Sequence, residues 1–338
     1  MDPQMDSSMD PDMDTTGGWR LRLFAVLSLL VGLVFAGGIL EGVARWHPLE
    51  RIQVVSLSQV DSEVVDGVPI WQSKRSVPER VGRPCEARPE VVLVGSSILW
   101  GSGISDSESP RSQLAQRLPE ACVTLLGQPA YSFSNQRVEV ARHLETHTPR
   151  VVVWEIWHNS PHEWSVLGDV AYNFGPTSVD TETLPSPFGL PPQGNLVLFS
   201  HSAAYRHMVV SRLSSNHEGL AGFSTRFASE QLAPVLDGLR QRGVHLVLAY
   251  MPPLSRPFEE SARSRSTLYA MVDETVGASV ESVWVAEQMA ARNVDVVGAR
   301  VDTCCHYSAS GSAALADILS EAVAPLLERV ATTAPQQP

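Results

Sequence analysis

Gly95-Ser96-Ser97-Ile98-Leu99-Trp100-Gly101 follows directly on the apolar run Val91-Val92-Leu93-Val94. A short unbroken apolar run reads as a parallel strand buried on both faces. Gly-x-Ser at its C-terminal end puts a hydroxyl where open α/β sheets bind ligands. The stretch is not a Gly-x-Ser-x-Gly elbow, because Leu99 occupies the final glycine position. Working outward, Val151 to Ile156 and His245 to Met251 repeat the strand pattern, the first followed by His158-Asn159-Ser160 and the second by Pro252-Pro253. Between them, helical periodicity covers Ser112 to Leu118, Asn135 to Thr146 and Ser229 to Arg242, the last stopped by Gly243. Ser266 to Ala290 reads as helix, Val294 to Val297 as a short strand, and Ala313 to Val330 as an amphipathic closing helix. Alternation of this kind predicts one α/β domain.

Four stretches, each beside a predicted strand end or before the closing helix, resemble the ordered blocks of the SGNH (GDSL-type) hydrolases. Gly95 to Gly101 resembles Gly-Asp-Ser-x-x-x-Gly, with Ser96 in place of the Asp. Leu126-Gly127-Gln128-Pro129-Ala130-Tyr131 is similar to the second block, which often reads Leu-Gly-x-Pro-Gly-Tyr in membrane-linked members. His158-Asn159-Ser160 resembles Gly-x-Asn-Asp, and Asp302 to Gly311 resembles Asp-x-x-His with a Gly five residues after the His. The resemblance runs over residues 88 to 330. It implies a flavodoxin-like three-layer α/β/α domain with a mostly parallel sheet, here preceded by one transmembrane helix.

Ester cleavage needs an activated hydroxyl, a base and donors for the developing oxyanion. By the resemblance, Ser97 is the nucleophile and His306 the base. The oxyanion donors are then the backbone N–H of Ser97, the backbone N–H of Ala130 and the side-chain amide of Asn159, with Gly127 as the fallback donor. The chain departs from the pattern at three places. Ala130 replaces a glycine, so its donor survives only if the backbone still reaches the needed angles. Ser160 replaces the Asp after Asn159. Asp302 lies four residues before His306 rather than three, and Thr303 holds the usual register. Either the Cys304-Cys305 loop bulges and Asp302 still orients the imidazole, or the site is a Ser–His pair.

The chain of 338 residues is 43% hydrophobic, enough for a sizeable core, and its net charge of −12 argues against a nucleic-acid partner. No phosphate-cradling Gly-rich loop occurs, and acyl-enzyme chemistry calls for no cofactor. Residues 1–18 hold five Asp and no basic residue and read as an acidic disordered tail. Leu23 to Leu40 is uncharged and long enough to cross a bilayer core. With Trp19 and Trp46 as interfacial residues, 19–46 reads as an uncleaved anchor; a signal peptide cleaved after Val34-Phe35-Ala36 is the rival. Arg20 and Arg22 balance Arg45 and Arg51, so flanking charge leaves the orientation open.

Residues 47–88 are polar, Pro-containing and weakly patterned and read as a stalk with local structure before the domain at 89–330, with 331–338 a frayed tail. The Pro-rich stretch 161–200 reads as a wall or lid over the cleft, with Trp154, Trp157, Trp164, Tyr172 and Phe174 either packed beneath it or forming an aromatic ligand platform. Cys85 and Cys122 precede strands and belong at the N-terminal sheet edge, whereas Cys304 and Cys305 adjoin His306 at the opposite edge. A strand of five or six residues separates the edges by ~17–20 Å, beyond the ~7 Å reach of a disulfide. Cys85–Cys122 is therefore the expected bridge, four free thiols being the alternative, and the division of the pairs argues against a zinc site. The expectation is a single-pass membrane protein with an extracytoplasmic serine esterase or acyltransferase domain acting on an acylated glycan or lipid. A catalytically weakened carbohydrate-binding or scaffolding module of the same fold is the alternative.

Overall fold

The computed structural model of the chain describes residues 16–46, 53–72, 88–158, 160–174, 179–215, 224–277 and 280–331. Among these, the strands are β1 (Gln53–Ser56), β2 (Asp61–Val65), β3 (Val68–Gln72), β4 (Glu90–Gly95), β5 (Cys122–Gly127), β6 (Val151–Ile156), β7 (Trp164–Leu167), β8 (Val170–Asn173), β9 (His245–Tyr250) and β10 (Glu281–Trp284). Two compact units emerge, one holding residues up to 50 and Ser186–Val209, the other Arg51–Pro185 and Val210 onward.

In the larger unit, β5, β4, β6, β9 and β10 lie side by side in that order, and every adjacent pair is parallel. Counting only these strands along the chain gives the order 2-1-3-4-5, the flavodoxin-like winding, whose direction reverses between β4 and β6. Strand alternation sorts the apolar residues into two layers. Val91, Leu93, Val151 and Val153 pack with Leu114, Val285, Met289, Leu315, Leu319 and Val323 from the helices Pro110–Arg117, Val285–Ala291 and Ala309–Ala331. On the other face, Val92, Val94, Val152 and Trp154 meet Phe133 and Val140 of helix Phe133–Thr146, Leu232 and Leu236 of the helical stretch 227–241, and Val272 of helix Thr267–Val276. Each such side chain, once fully buried, contributes about 1.5–3 kcal/mol. The three-layer α/β/α arrangement follows.

Two expectations are corrected in this unit. The stretch 266–290 is not one helix: it ends at Gly277, in the left-handed region at φ +64°, and β10 follows before the helix Val285–Ala291 starts. β10, not residues 294–297, is the fifth strand, and Val297 is exposed. The helical periodicity across Gly277 is a coincidence of two elements in phase.

Residues 53–72 are likewise no stalk. β1 pairs antiparallel with β8, which pairs with β7, while β2 and β3 form a hairpin turning at Asp66-Gly67, both at positive φ. Most of these strand residues are exposed or half-buried, Val54 and Val64 among the exposed, but Pro69, Ile70 and Trp71 are buried. The Trp71 ring stands edge-on to Tyr131 at 5.0 Å and to Trp164 at 4.9 Å. Its Nε1 donates to the Pro129 carbonyl and its own carbonyl accepts from the Tyr131 hydroxyl. The Pro-rich stretch is part hairpin (β7–β8) and part helix, and Trp154, Trp157, Trp164, Tyr172 and Phe174 are all buried.

In the smaller unit, a helix runs from Thr16 to Trp46, and Val26–Trp46 is long and apolar enough to cross a membrane. Ser186–Val209, expected inside a continuous domain at 89–330, groups with this helix. Glu41 explains the grouping: its carboxylate accepts from Ser202 Oγ at 2.8 Å and from the N–H groups of Ala203 and Ala204 at 3.0 and 3.1 Å. These are orphan donors at the start of helix Ala203–Ser215, which a carboxylate satisfies well. The proposed tails at 1–18 and 331–338 lie outside the described residues, except that Thr16 to Gly18 begin the first helix and Ala331 ends the last.

If residues 53–72 belong to the larger unit, removing the Trp71 indole destabilises all of it. Trp71→Ala is expected to lower unfolding stability by about 3–5 kcal/mol. Urea unfolding followed by far-UV circular dichroism checks this, and an unchanged midpoint would mean that the hairpin is a dispensable stalk.

Candidate active site

Ser97 is the first residue of a single helical turn, Ser97–Trp100, that starts where β4 stops. Ser96 is still extended, so the chain folds sharply between the two serines. Ile98, Leu99 and Trp100 are buried and anchor the turn, leaving Ser97 partly open. Gly101 ends it at φ +74°, a conformation that costs a residue with a Cβ about 1–2 kcal/mol. The first N–H of a helix has no intrahelical acceptor, so that of Ser97 is available beside its own hydroxyl.

His306 Nε2 lies 2.9 Å from Ser97 Oγ, and His306 Nδ1 lies 2.5 Å from Asp302 Oδ2. The fourth-residue spacing is accommodated by the loop. Asp302 Oδ1 accepts from the N–H groups of Cys304, Cys305 and His306 at 3.0, 3.1 and 3.3 Å, so the backbone curls around one carboxylate oxygen and leaves the other for the imidazole. The loop is closed at its base by the Val301 N–H on the His306 carbonyl and by the Arg300–Tyr307 bridge. Gly311 is sterically required there, since a Cβ would fall 2.1 Å from the Ala299 carbonyl oxygen. Burial alone would raise the Asp302 carboxyl, but the His306 hydrogen bond and the loop N–H groups outweigh it and hold the group below its usual range.

The same loop joins Cys304 and Cys305, neighbours in sequence and both on the His306 side of the sheet. Cys122 is disulfide-bonded as well, and Cys85, its expected partner, lies outside the described residues.

A cavity of about 100 Å³ is lined by Ser97, Ala130, Tyr131, Ser132, Glu155, Trp157, Asn173 and His306, among others. Ala130 sits in it at φ +70°, the left-handed angle that a glycine would adopt freely, and its N–H donates to no acceptor among the described residues. Gly127 ends β5 opposite Gly95 and does not line the cavity. Asn159 lies outside the described residues. Ser160, next to it, accepts from the Trp157 N–H at 2.8 Å and donates its own N–H to the Trp157 carbonyl, closing the turn after β6. Trp157 also lines a neighbouring cavity of about 260 Å³ at the ends of β9 and β10, walled by Tyr250, Tyr269 and Trp284. Among the described residues, no cluster of three or more His, Cys, Asp or Glu is placed to hold a metal ion.

Glu155 is the site residue that sequence reasoning missed. It is fully buried on β6, and its carboxylate accepts from Ser96 Oγ at 2.5 Å, the Ser96 N–H at 3.1 Å and the Leu99 N–H at 3.3 Å. A signal existed: a lone charge in the otherwise apolar Val151-Val152-Val153-Trp154-Glu155-Ile156. Burial raises its pKa, and the bonds from Ser96 and Leu99 only partly oppose the rise.

No family model matches the chain, and no curated protein matches it in sequence. Solved structures do resemble it. TesA is 15% identical, with 70% of this chain and 99% of that one covered, at a TM-score of 0.39. The psychrotrophic esterase EstA from Pseudoalteromonas sp. is 12% identical, over 71% and 98%, at 0.37. A family 3 carbohydrate esterase from Clostridium thermocellum is 16% identical, over 72% and 99%, at 0.39.

Two substitutions test this geometry. Ala130→Gly relieves a left-handed alanine and is expected to raise stability, or leave it unchanged, by at most about 1 kcal/mol; a loss larger than that would place Ala130 in another conformation. For Glu155, a raised folded-state pKa means that the folded protein keeps the proton to higher pH than the unfolded chain. Its contribution is present below the ordinary carboxylate value of about 4.3 and declines as pH rises through the folded value. Glu155→Gln cannot ionise, so the stability of the parent relative to this variant is expected to fall with rising pH across that window. Urea midpoints in a pH series decide it; a constant difference would mean that Glu155 does not titrate there.

Proposed function

We propose that the chain is a membrane-anchored serine esterase of the SGNH type, acting on O-acyl esters of an envelope glycan or lipid by hydrolysis or acyl transfer. The observation that carries this reading is the hydrogen-bonded series Ser97–His306–Asp302 at the C-terminal end of β4, beside the point where strand order reverses. Open α/β sheets bind ligands at such a point.

His306 Nε2 takes the Ser97 proton as Oγ attacks the ester carbonyl, and Asp302 holds the Nδ1–H and stabilises the imidazolium that forms. The oxyanion is met by the N–H groups of Ser97 and Ala130, with the Asn159 amide as the expected third donor. His306 then protonates the departing alcohol, leaving an acyl-enzyme on Ser97. Water, or the hydroxyl of an acceptor, takes the acyl group by the reverse sequence, with His306 again the base.

Anchoring is supported by the apolar Val26–Trp46 helix. An extracytoplasmic domain is supported by Cys122, which is disulfide-bonded, since disulfides persist in oxidising compartments. Tethering at an envelope favours an acylated glycan or lipid over a diffusing metabolite.

Ser97→Ala and His306→Ala are each expected to abolish turnover of a short-chain aryl ester, and their losses will not add. Asp302→Asn is expected to lower the rate by about 10⁴, and a drop below about tenfold would leave His306 without Asp302 as its partner in catalysis. A fluorophosphonate probe should label the parent and not Ser97→Ala. No Ser97-dependent labelling or hydrolysis with any ester would favour the carbohydrate-binding reading.

A further inference from the structure

Ser186 to Val209 contains a single charged side chain, Arg206, in a chain that is 18% charged overall. Its helix Pro192–His201 carries Leu196-Val197-Leu198-Phe199 in succession, and four consecutive apolar residues at ~100° per residue surround a helix on every side. One side is already occupied: Asn195, Phe199, Tyr205 and Val209 are buried, and the Tyr205 hydroxyl donates to Asn195 Oδ1 at 2.6 Å. The other side is bare. Outside the N-terminal helix, eight large apolar side chains are exposed among the described residues, and four of them, Phe188, Val197, Leu198 and Met208, fall in this short segment. So high a share within one short segment points to contact with another apolar phase.

The Glu41 bonds say which phase. They tie Ser202, Ala203 and Ala204 to the helix Thr16–Trp46 five residues before Trp46. At ~1.5 Å per residue that is about 7.5 Å along the axis, comparable with the ~5–8 Å headgroup layer on each side of a bilayer. A helix spanning the membrane with Trp46 at the interface therefore carries this segment to the level of the headgroup–acyl boundary. Arg206, which closes the end of helix Pro192–His201 by donating to the carbonyls of Phe199 and Ser200, adds a positive charge suited to anionic headgroups.

We infer that Ser186–Val209 is a second membrane contact, with Phe188, Val197, Leu198 and Met208 seated in the lipid interface on the Trp46 side. The inference rests on the reading of residues 19–46 as an anchor. In this arrangement, the span prevents escape and the interfacial segment fixes how the anchor unit lies on the bilayer.

The test uses the full chain reconstituted in phosphatidylcholine vesicles containing a phospholipid with a diazirine on its acyl chain, followed by photolysis and peptide mapping. Lipid adducts are expected both in residues 23–46 and in 186–209. The Val197→Asn/Leu198→Asn double variant should lose most adducts in the second region and keep those in the first, while retaining fluorophosphonate labelling as a check on folding. Adducts confined to 23–46 in the unaltered protein overturn the inference and leave the anchor standing. Cross-links between two copies through 186–209 overturn it in favour of a self-association face. Absence of adducts from both regions removes the anchor reading, and the inference with it.

Discussion

The Glu155 carboxylate joins β6 to the turn that carries Ser97, and the architecture around the site depends on that junction. A charged or polar group this deeply buried is destabilising unless hydrogen-bonded. Glu155 is met by three donors from the β4 turn, two of them backbone N–H groups that the start of a helix would otherwise leave unpaired. Each side therefore satisfies the other. Gly95 is part of the same constraint, because a Cβ there would lie 2.5 Å from Glu155 Oε2. The serine at position 96, where the resembled block has an Asp, is consistent with a carboxylate supplied from the neighbouring strand. A second one on Ser96 itself would face it within the same buried space.

The opposite wall obeys a comparable economy of donors. Asp302 divides its two oxygens between the loop backbone and the imidazole, so the residue that orders the loop also orients His306. Cys304 and Cys305 lie between these two residues and supply two of the N–H groups that Asp302 collects. Ser97 and His306 are 209 positions apart; Glu155 of β6 fixes the turn that carries the first, Asp302 orders the loop that carries the second, and the sheet brings the two to one edge.

The cluster of Trp71, Tyr131 and Trp164 has a related role below the cleft. Tyr131 directly follows Ala130, and its hydroxyl is fixed by the Trp71 carbonyl. The hairpin at 61–72 thus supports the backbone that holds Ala130 at its left-handed angle.

Local pattern made much of this legible. The largely apolar runs at Val91, Val151 and Leu246 are short enough to read as strands buried on both faces, and their alternation with helices pointed to a parallel sheet. Strand ends then placed Ser97 and the turn at His158 on one edge, since side chains after parallel strands emerge together. What stayed hidden depended on contacts distant in sequence. Composition marked residues 53–72 as a stalk because three buried residues in succession, Pro69, Ile70 and Trp71, are too few to outweigh a mostly exposed remainder. Gly277 could not be read as a helix end until β10 had a neighbour to pair with. The spacing of Asp302 left its contact with His306 undecided, because only a folded loop shows three N–H groups converging on one oxygen. Sequence by itself determined the layers, since burial on both faces demands unbroken apolar strands. Tertiary structure alone decided the pairing of polar groups, since a hydrogen bond such as that between Glu155 and Ser96 has no period along the chain.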